Sequence, residues 1–329
     1  MREIIRSGTD FDFLGKWKFW VAISVALIAL GGVSALVRGV RLGVDFAGGT
    51  EMQVRFHDGV TVDEGAVRAV LDELEVPGPS VIRYGAATDY LVRFQGERRI
   101  LVPGELPNAP LSAKNDRVRQ VDEAFESRIG SHEIERVEFV GPKVGQELRN
   151  KGILSMGLAF LLILAYVAFR FSASFAPGAV IALIHDVLVT ASVWTIFNLE
   201  FDLTVLAALL AIIGYSLNDT IIIYDRVREN LQMRSRSELQ KLLNESVNQT
   251  LSRTILTALL SLGAIGSLLV AGGPVIRPFA LAMFIGTIVG TYSTIYIASP
   301  MVLWIETWRA NRASRPPARP APKPAKAKR

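Results

Sequence analysis

Residues 203–224 read LTVLAALLAIIGYSLNDTIIIY, and this stretch decides the fold. Its 22 residues carry one formal charge, at Asp219. A helix rises about 1.5 Å per residue, so a run of this length spans the roughly 30 Å hydrocarbon core of a bilayer. An ionised side chain inside such a span costs about 2.5–3.5 kcal/mol on insertion scales, which makes Asp219 a functional candidate. It lies six residues before Asp225, roughly 9 Å inside one end of the span.

Working outward, four further runs carry no charge: Phe19 to Val37, Gly152 to Phe169, Thr254 to Ile276 and Pro278 to Ile305. A sixth run, Pro177 to Phe197, is interrupted by His185-Asp186. Six transmembrane helices are therefore expected. The first follows Arg2, Arg6, Lys16 and Lys18, but its apolar run exceeds the 7–15 residues of a signal-peptide core, so it reads as an uncleaved span. Lys and Arg concentrate before span one, between spans four and five (Arg226, Arg228, Arg234, Arg236, Lys241, Arg253) and after span six. Asn198 to Asp202 has none. The positive-inside rule then puts both termini in the cytoplasm and residues 38–151 outside.

Composition agrees with a membrane chain and excludes several chemistries. Half of the 329 residues are hydrophobic and 20% are charged. The absence of cysteine removes disulfide scaffolds, thiol nucleophiles and cysteine-ligated zinc or iron–sulfur clusters. The three histidines, His57, His132 and His185, are scattered, which argues against a multi-histidine metal site. No GxxxxGK[ST] loop appears, so ATP is not expected as this chain's own fuel.

Residues 41–150 alternate strand and helix signals. Glu51 to Phe56 has a period of two, and Thr61-Val62-Asp63-Glu64 has the spacing of a capping box ahead of a helix over Val67, Val70, Leu71 and Leu74. Ser80 to Tyr84 and Asp89 to Phe94 read as strands around Gly85. Asn115 to Ile129 reads as a helix and Glu133 to Val140 as a last strand. The order strand, helix, strand, strand, helix, strand predicts a ferredoxin-like α+β external domain, with Gly96 to Pro110 as a Pro/Gly-rich connection. The fold class is thus an α-helical membrane protein: six transmembrane helices plus this one external (periplasmic) domain. The expected plan is a cytoplasmic segment 1–18, a span 19–37, the external domain 38–151 and a five-helix bundle 152–308. The bundle spans fall at about 152–169, 177–197, 203–224, 254–271 and 279–305. A cytoplasmic amphipathic helix over 237–251 should lie along the interface, and 309–329 is a disordered basic tail suited to anionic lipid rather than nucleic acid.

The intramembrane polar residues carry the functional reading. Asp219 and its neighbour Asn218 form either a proton-responsive site or a polar cluster that packs spans together. Arg253 opens span five; it is either an interfacial anchor or the ion-pair partner of Asp219 on the preceding antiparallel span. His185 and Asp186 point about 100° apart on a helix, so they are expected to face different neighbours, one lining a polar path or bonding span four. Gly263, Gly266, Gly272, Gly273, Gly286 and Gly290 suggest close packing in the last two spans.

Several motifs resemble the SecF members of the SecD/SecF family of bacterial protein-export membrane proteins, in the resistance–nodulation–division superfamily. GVDFAGGT at 43–50 is similar to that family's motif just outside span one, with Gly43, Asp45, Phe46, Gly48, Gly49 and Thr50. VEFVGPKVGQEL at 137–148, with Gly141, Pro142 and Gly145, is similar to the motif leading into span two. IHD at 184–186, IGYSLNDTIIIYDRVREN at 213–230, SRTILT at 252–257 and GGPVIRPFAL at 272–281 fit the later spans. The resemblance covers Phe11 to Trp308. It implies a non-enzymatic subunit of the bacterial inner membrane that takes part in late-stage protein export. Protons are the coupling ion and no cofactor or metal is implied. Implied partners are SecD, which supplies the other half, the SecYEG channel and the translocating preprotein, with YajC and YidC as candidates and membrane lipids around the spans. The family's proton-responsive Asp and important Arg fall on Asp219 and Arg253, and the implied relay includes Asn218, Asp186 and His185. The alternatives are half of a small-molecule or lipid exporter of the same superfamily, or a passive scaffold.

Overall fold

The computed structural model describes residues 10–57, 62–83, 88–95, 116–171, 175–233 and 239–313. Arg2, Arg6, Thr61, Gly85, the Gly96 to Pro110 connection, Arg234, Arg236 and the tail beyond Ala313 lie outside them. Among the described residues, six helical stretches are long and apolar enough to cross a membrane. The first is α1 (Trp17–Arg38). After the external domain come α5 (Pro142–Arg170), α6 (Ala176–Ile196), α7 (Leu203–Met233) and α8 (Leu239–Ala271). The sixth stretch joins α9 (Gly273–Ser293), a π-helical turn at Thr294–Ala298 and α10 (Ser299–Ala313). Pro300 has no N–H for the carbonyl four residues back, and the turn before it widens accordingly. The Ser299 hydroxyl donates to the Thr294 carbonyl, five residues back, at 3.0 Å.

The external domain contains a one-turn helix α2 (Val44–Ala47), then β1 (Gly49–Phe56), α3 (Glu64–Glu73), β2 (Ser80–Arg83), β3 (Asp89–Gln95), α4 (Asp116–Arg128) and β4 (His132–Val140). The sheet is antiparallel in the order β2-β3-β1-β4, the ferredoxin-like arrangement. The period-two pattern of β1 buries Met52, Val54 and Phe56 against Val67 and Leu71 of α3 and Val118, Val121 and Phe125 of α4. This core is separate from the apolar clusters of the bundle.

Two expectations change. The reciprocal bond expected of Glu64 in a capping box is not made; Asp63 caps α3, and its carboxylate accepts from the Gly65 N–H at 3.3 Å, because an Asp side chain reaches the second amide of the helix. Glu64 instead accepts from the Arg83 backbone at 3.3 Å. The amphipathic segment is no interfacial helix; its described part is the first third of α8, and Leu242, Leu243, Val247 and Leu251 pack into the bundle core. The close packing expected of the last two spans is sharpest at Gly286 and Gly290, which face span four. A side chain at Gly286 would collide with Ile212, and at Gly290 its Cβ would stand 2.9 Å from Ser216 Cβ. Gly263 has open space around it. Thr220 meets Thr294 and Tyr224 meets Ala298 at the same 74-residue offset, so α7 and the sixth span run parallel in one register.

A fragment cut near Arg41 and Gln146 is expected to fold alone, with mixed helix–strand circular dichroism and one cooperative thermal transition. Phe125→Ala in that fragment should cost about 3–5 kcal/mol by denaturant unfolding. A fragment without a cooperative transition contradicts an independent core.

Candidate functional site

Two carboxylates are buried in the bundle on facing helices. Asp186 on α6 is 0% exposed and Asp219 on α7 is 2% exposed. Asp186 is fully engaged. Its Oδ1 lies 2.9 Å from His185 Nδ1, and its Oδ2 accepts from Ser216 Oγ at 2.6 Å. His185 and Asp186 therefore bond each other, contrary to the expectation that adjacent side chains diverge; the imidazole turns along the helix to reach its neighbour. The bond to Ser216 ties span three to span four one helical turn from Asp219. Asp219 differs: its Oδ2 is buried without a hydrogen-bond partner. An unpartnered carboxylate oxygen in a dry interior is costly in its ionised form.

Of the two alternatives for Arg253, interfacial anchor or ion-pair partner of Asp219, the ion pair is not formed. Arg253 is exposed, and no salt bridge joins it to Asp219 among the described residues. It lines a cavity of about 350 Å³ with Ile222, Asp225, Arg226, Glu229, Gln249 and Thr250. Ile222 stands one turn beyond Asp219 on α7, so this polar cavity approaches the carboxylate from the end of the bundle opposite the external domain. Asn218 lies on the exposed side of α7 and does not join the buried cluster.

The second feature is the joint between domain and bundle. Gly43 caps α2, donates its N–H to the Phe201 carbonyl at 2.7 Å, and begins a turn that ends at Gly48. Asp45 Oδ2 accepts from the Leu203 N–H at 3.0 Å and so caps α7. Gly48 has φ +80, and a Cβ there would stand 2.8 Å from Pro142 Cα, so this position needs glycine on both counts. Gly49 lies against the Phe94 carbonyl, and Gly145 lies against the Phe46 carbonyl at 2.8 Å from its would-be Cβ. Phe46 and Thr50 are buried. Gly141 caps α5 and Pro142 occupies its first turn. Thus the 43–50 and 141–145 motifs fold against each other and bring together the starts of β1, α5 and α7.

Arg93 on β3 completes the joint. Its side chain is 14% exposed, and its guanidinium bonds Glu51 at 2.7 Å, with Glu200 at 3.9 Å and Asp202 at 3.8 Å. Burial disfavours its charge, but Glu51, Glu200 and Asp202 outweigh that and raise its pKa above the ordinary arginine value, so it stays charged. Glu200 and Asp202 belong to the loop between spans three and four.

With this geometry in view, comparison with known proteins is decisive. Residues 33–60 match the SecD/SecF GG motif, and residues 120–308 match the family described as protein export membrane protein SecD/SecF, C-terminal. The chain is 40% identical over 309 residues to protein translocase subunit SecF of Calditerrivibrio nitroreducens, covering 93% of this chain and 98% of the relative. The chain belongs to the SecF family. It is also 37% identical to protein translocase subunit SecDF of Thermus thermophilus, covering 93% of this chain and 40% of that one. A crystal structure of SecDF from that organism superposes with a TM-score of 0.75 at 34% identity, covering 92% of this chain and 39% of the other. The GG motif of the SecF family is therefore the joint itself, and the C-terminal family region contains Asp186, Asp219 and Arg253. Sequence reasoning did not single out Ser24, Tyr292 or Arg93. The only signals were a hydroxyl inside a charge-free span and an arginine inside an alternating strand.

Two outcomes are expected. Arg93→Gln leaves three carboxylates facing each other and should destabilise the joint by about 3–5 kcal/mol, seen as faster amide exchange at 198–203; unchanged exchange contradicts the latch. Because the chain lacks cysteine, Thr250→Cys supplies a unique thiol. It should react with a water-soluble maleimide while Asp219→Cys stays protected. Equal protection of both means that the cavity is dry.

Proposed function

We propose that this SecF-family chain is one half of a proton-driven protein-export unit of the bacterial inner membrane. SecD supplies the other half. The unit acts with SecYEG, and with YajC and YidC as further associates, on preproteins late in their passage. Both termini lie in the cytoplasm and the ferredoxin-like domain lies outside. The chain works without enzymatic chemistry of its own, and protons are its only coupling species.

The observation that carries this reading is Asp219: a carboxylate buried in a span, with an oxygen that no group among the described residues satisfies. Protonation removes the cost of that oxygen, while a cation brought near it does the same for the anion. Arg253 lines the cavity with Ile222, and in this reading it is the cation that does so in another state of the cycle. Arginine does not titrate, so it acts by stabilising the anion. His185 and Asp186 supply the neighbouring polar path, and Asn218 lies on the exposed face of α7 where a partner half would cover it. A proton crossing about 100 mV releases about 2.3 kcal/mol, enough to shift a two-state equilibrium roughly fifty-fold. Asp45, capping α7 from within the GG motif, offers a direct mechanical route from that helix to the domain.

The test is preprotein translocation into vesicles carrying the complete complex, with and without an uncoupler. Asp219→Asn should abolish the stimulation by the gradient while leaving co-purification with SecD intact. Asp219→Glu should retain part of it, and Arg253→Lys should lose more than conservation of charge suggests, because a point charge replaces a planar fork. Full gradient response in Asp219→Asn vesicles would assign the chain the role of a passive scaffold.

A further inference from the structure

The His185-Asp186 pair continues, on its other side, into a row of hydroxyls. His185 Nε2 lies 3.3 Å from the Tyr292 hydroxyl on α9, which lies 2.9 Å from Ser24 Oγ on α1. Ser24 Oγ also lies 3.1 Å from the Trp20 carbonyl. With Ser216 at the far end, the row crosses α7, α6, α9 and α1. Tyr292 stands edge-on to the imidazole, with ring centroids 5.7 Å apart.

Counting protons fixes the direction of each bond. A carboxylate only accepts, so Nδ1 of His185 carries a hydrogen toward Asp186. In the neutral ring Nε2 is then bare, and Tyr292 donates its one proton to it. In the imidazolium, Nε2–H donates to the Tyr292 oxygen. Tyr292 must then turn its proton to Ser24 Oγ, and Ser24 donates to the Trp20 carbonyl. Every polar atom of the row is satisfied in both states with no change of rotamer. The proton on His185 is therefore read out as the direction of one O–H bond at the contact of α9 with α1.

The surroundings contain little else that titrates. From α7 come Ser216 and, one turn on, Asp219. From α9 comes Tyr292, and from α1 come Ser24 and Trp20. The π-helical turn contributes Tyr296, stacked on Trp20 at 5.1 Å. From α5 the neighbouring layer is Met156, Phe160 and Ile163, packed against the cluster of Leu183 and Val187.

We propose that His185 and Asp186 form a second proton-binding site, separate from Asp219, with Tyr292 and Ser24 as positioning residues that report its occupancy to α1. The ligand is a water-borne proton. The Nε2 lone pair takes it, one N–H bond forms, and the buried pair goes from a net charge of −1 to zero. α1 ends at Arg38, a few residues before the Gly43 turn, so the readout leads to the joint with the domain. The inference rests on the proton-driven reading of the bundle but not on the role of Asp219.

The experiment is nitrogen-15 histidine NMR of the full-length chain in lipid nanodiscs. With three histidines in the sequence, His185→Gln identifies the signals. The neutral ring should carry its hydrogen on Nδ1, and Nε2 should gain one when the sample is acidified. Tyr292→Phe keeps the ring and deletes the hydroxyl, and should displace the midpoint by about one pH unit. Ser24→Ala should displace it less. Both effects should persist in Asp219→Asn, whatever that variant does to translocation, which separates this inference from the preceding one. A neutral ring protonated on Nε2, no proton uptake on acidification, a midpoint indifferent to Tyr292→Phe, or a titration that vanishes in Asp219→Asn would each overturn it.

Discussion

A carboxylate in a dry helical bundle must be hydrogen-bonded, neutralised or protonated, and this bundle holds one that is bonded and one that is not. Asp186 meets its requirement locally, from His185 and Ser216. Asp219, one turn from Ser216, keeps an unsatisfied oxygen. The difference follows from packing. Gly286 and Gly290 let the sixth span approach α7 at Ile212 and Ser216, which brings Tyr292 against His185 and completes one polar row. The donors of that row are taken, and among the described residues no other donor reaches Asp219 Oδ2. Its satisfaction depends on a proton, on water from the neighbouring cavity, or on a cation that moves, and each of these alternatives is a different state of the bundle.

That dependence matters outside the membrane because the spans and the domain share a joint rather than a linker. α7 is capped by Asp45 of the GG motif, α5 begins against Gly48, and the loop before α7 presents Glu200 and Asp202 to Arg93 of the sheet. Packed interfaces of this kind switch between discrete arrangements instead of deforming smoothly. A shift of α7 cannot be absorbed by a flexible turn, since the glycines at the joint are there for close contact. The external domain has its own core, so it can follow such a shift as one body.

Much of the fold was legible in the sequence. Charge-free runs of sufficient length can hardly be anything but spans, and the alternation of periods two and 3.6 in residues 41–150 admits few topologies. Asp219 stood out because a charge in a span is expensive wherever its partners are. What sequence could not supply was partner identity. For Arg253 depth alone left anchor and counter-ion both open, and α8 presents it to the cavity and the surface. His185 and Asp186 were expected to diverge, yet a flexible ring next to a carboxylate bends toward it. The amphipathic run before span five buries its apolar stripe in the core rather than in the interface, because α8 continues through it unbroken. Ser24 and Tyr292 were unremarkable letters in apolar runs, and only the crossing of α1, α6 and α9 gives them a common neighbour.

The central claim is that the protonation of Asp219, not its mere presence, sets the state of the bundle. Infrared difference spectroscopy of the full-length chain, reconstituted with its partner half, tests it most directly. On acidification, a protonated-carboxyl C=O band should appear, together with amide changes from the helices. The carboxyl band, with the amide changes that track it, should be absent in Asp219→Asn, and the carboxyl band should remain in Asp186→Asn. A carboxyl band that survives in Asp219→Asn, or helix changes that occur without any carboxyl band, would contradict the account.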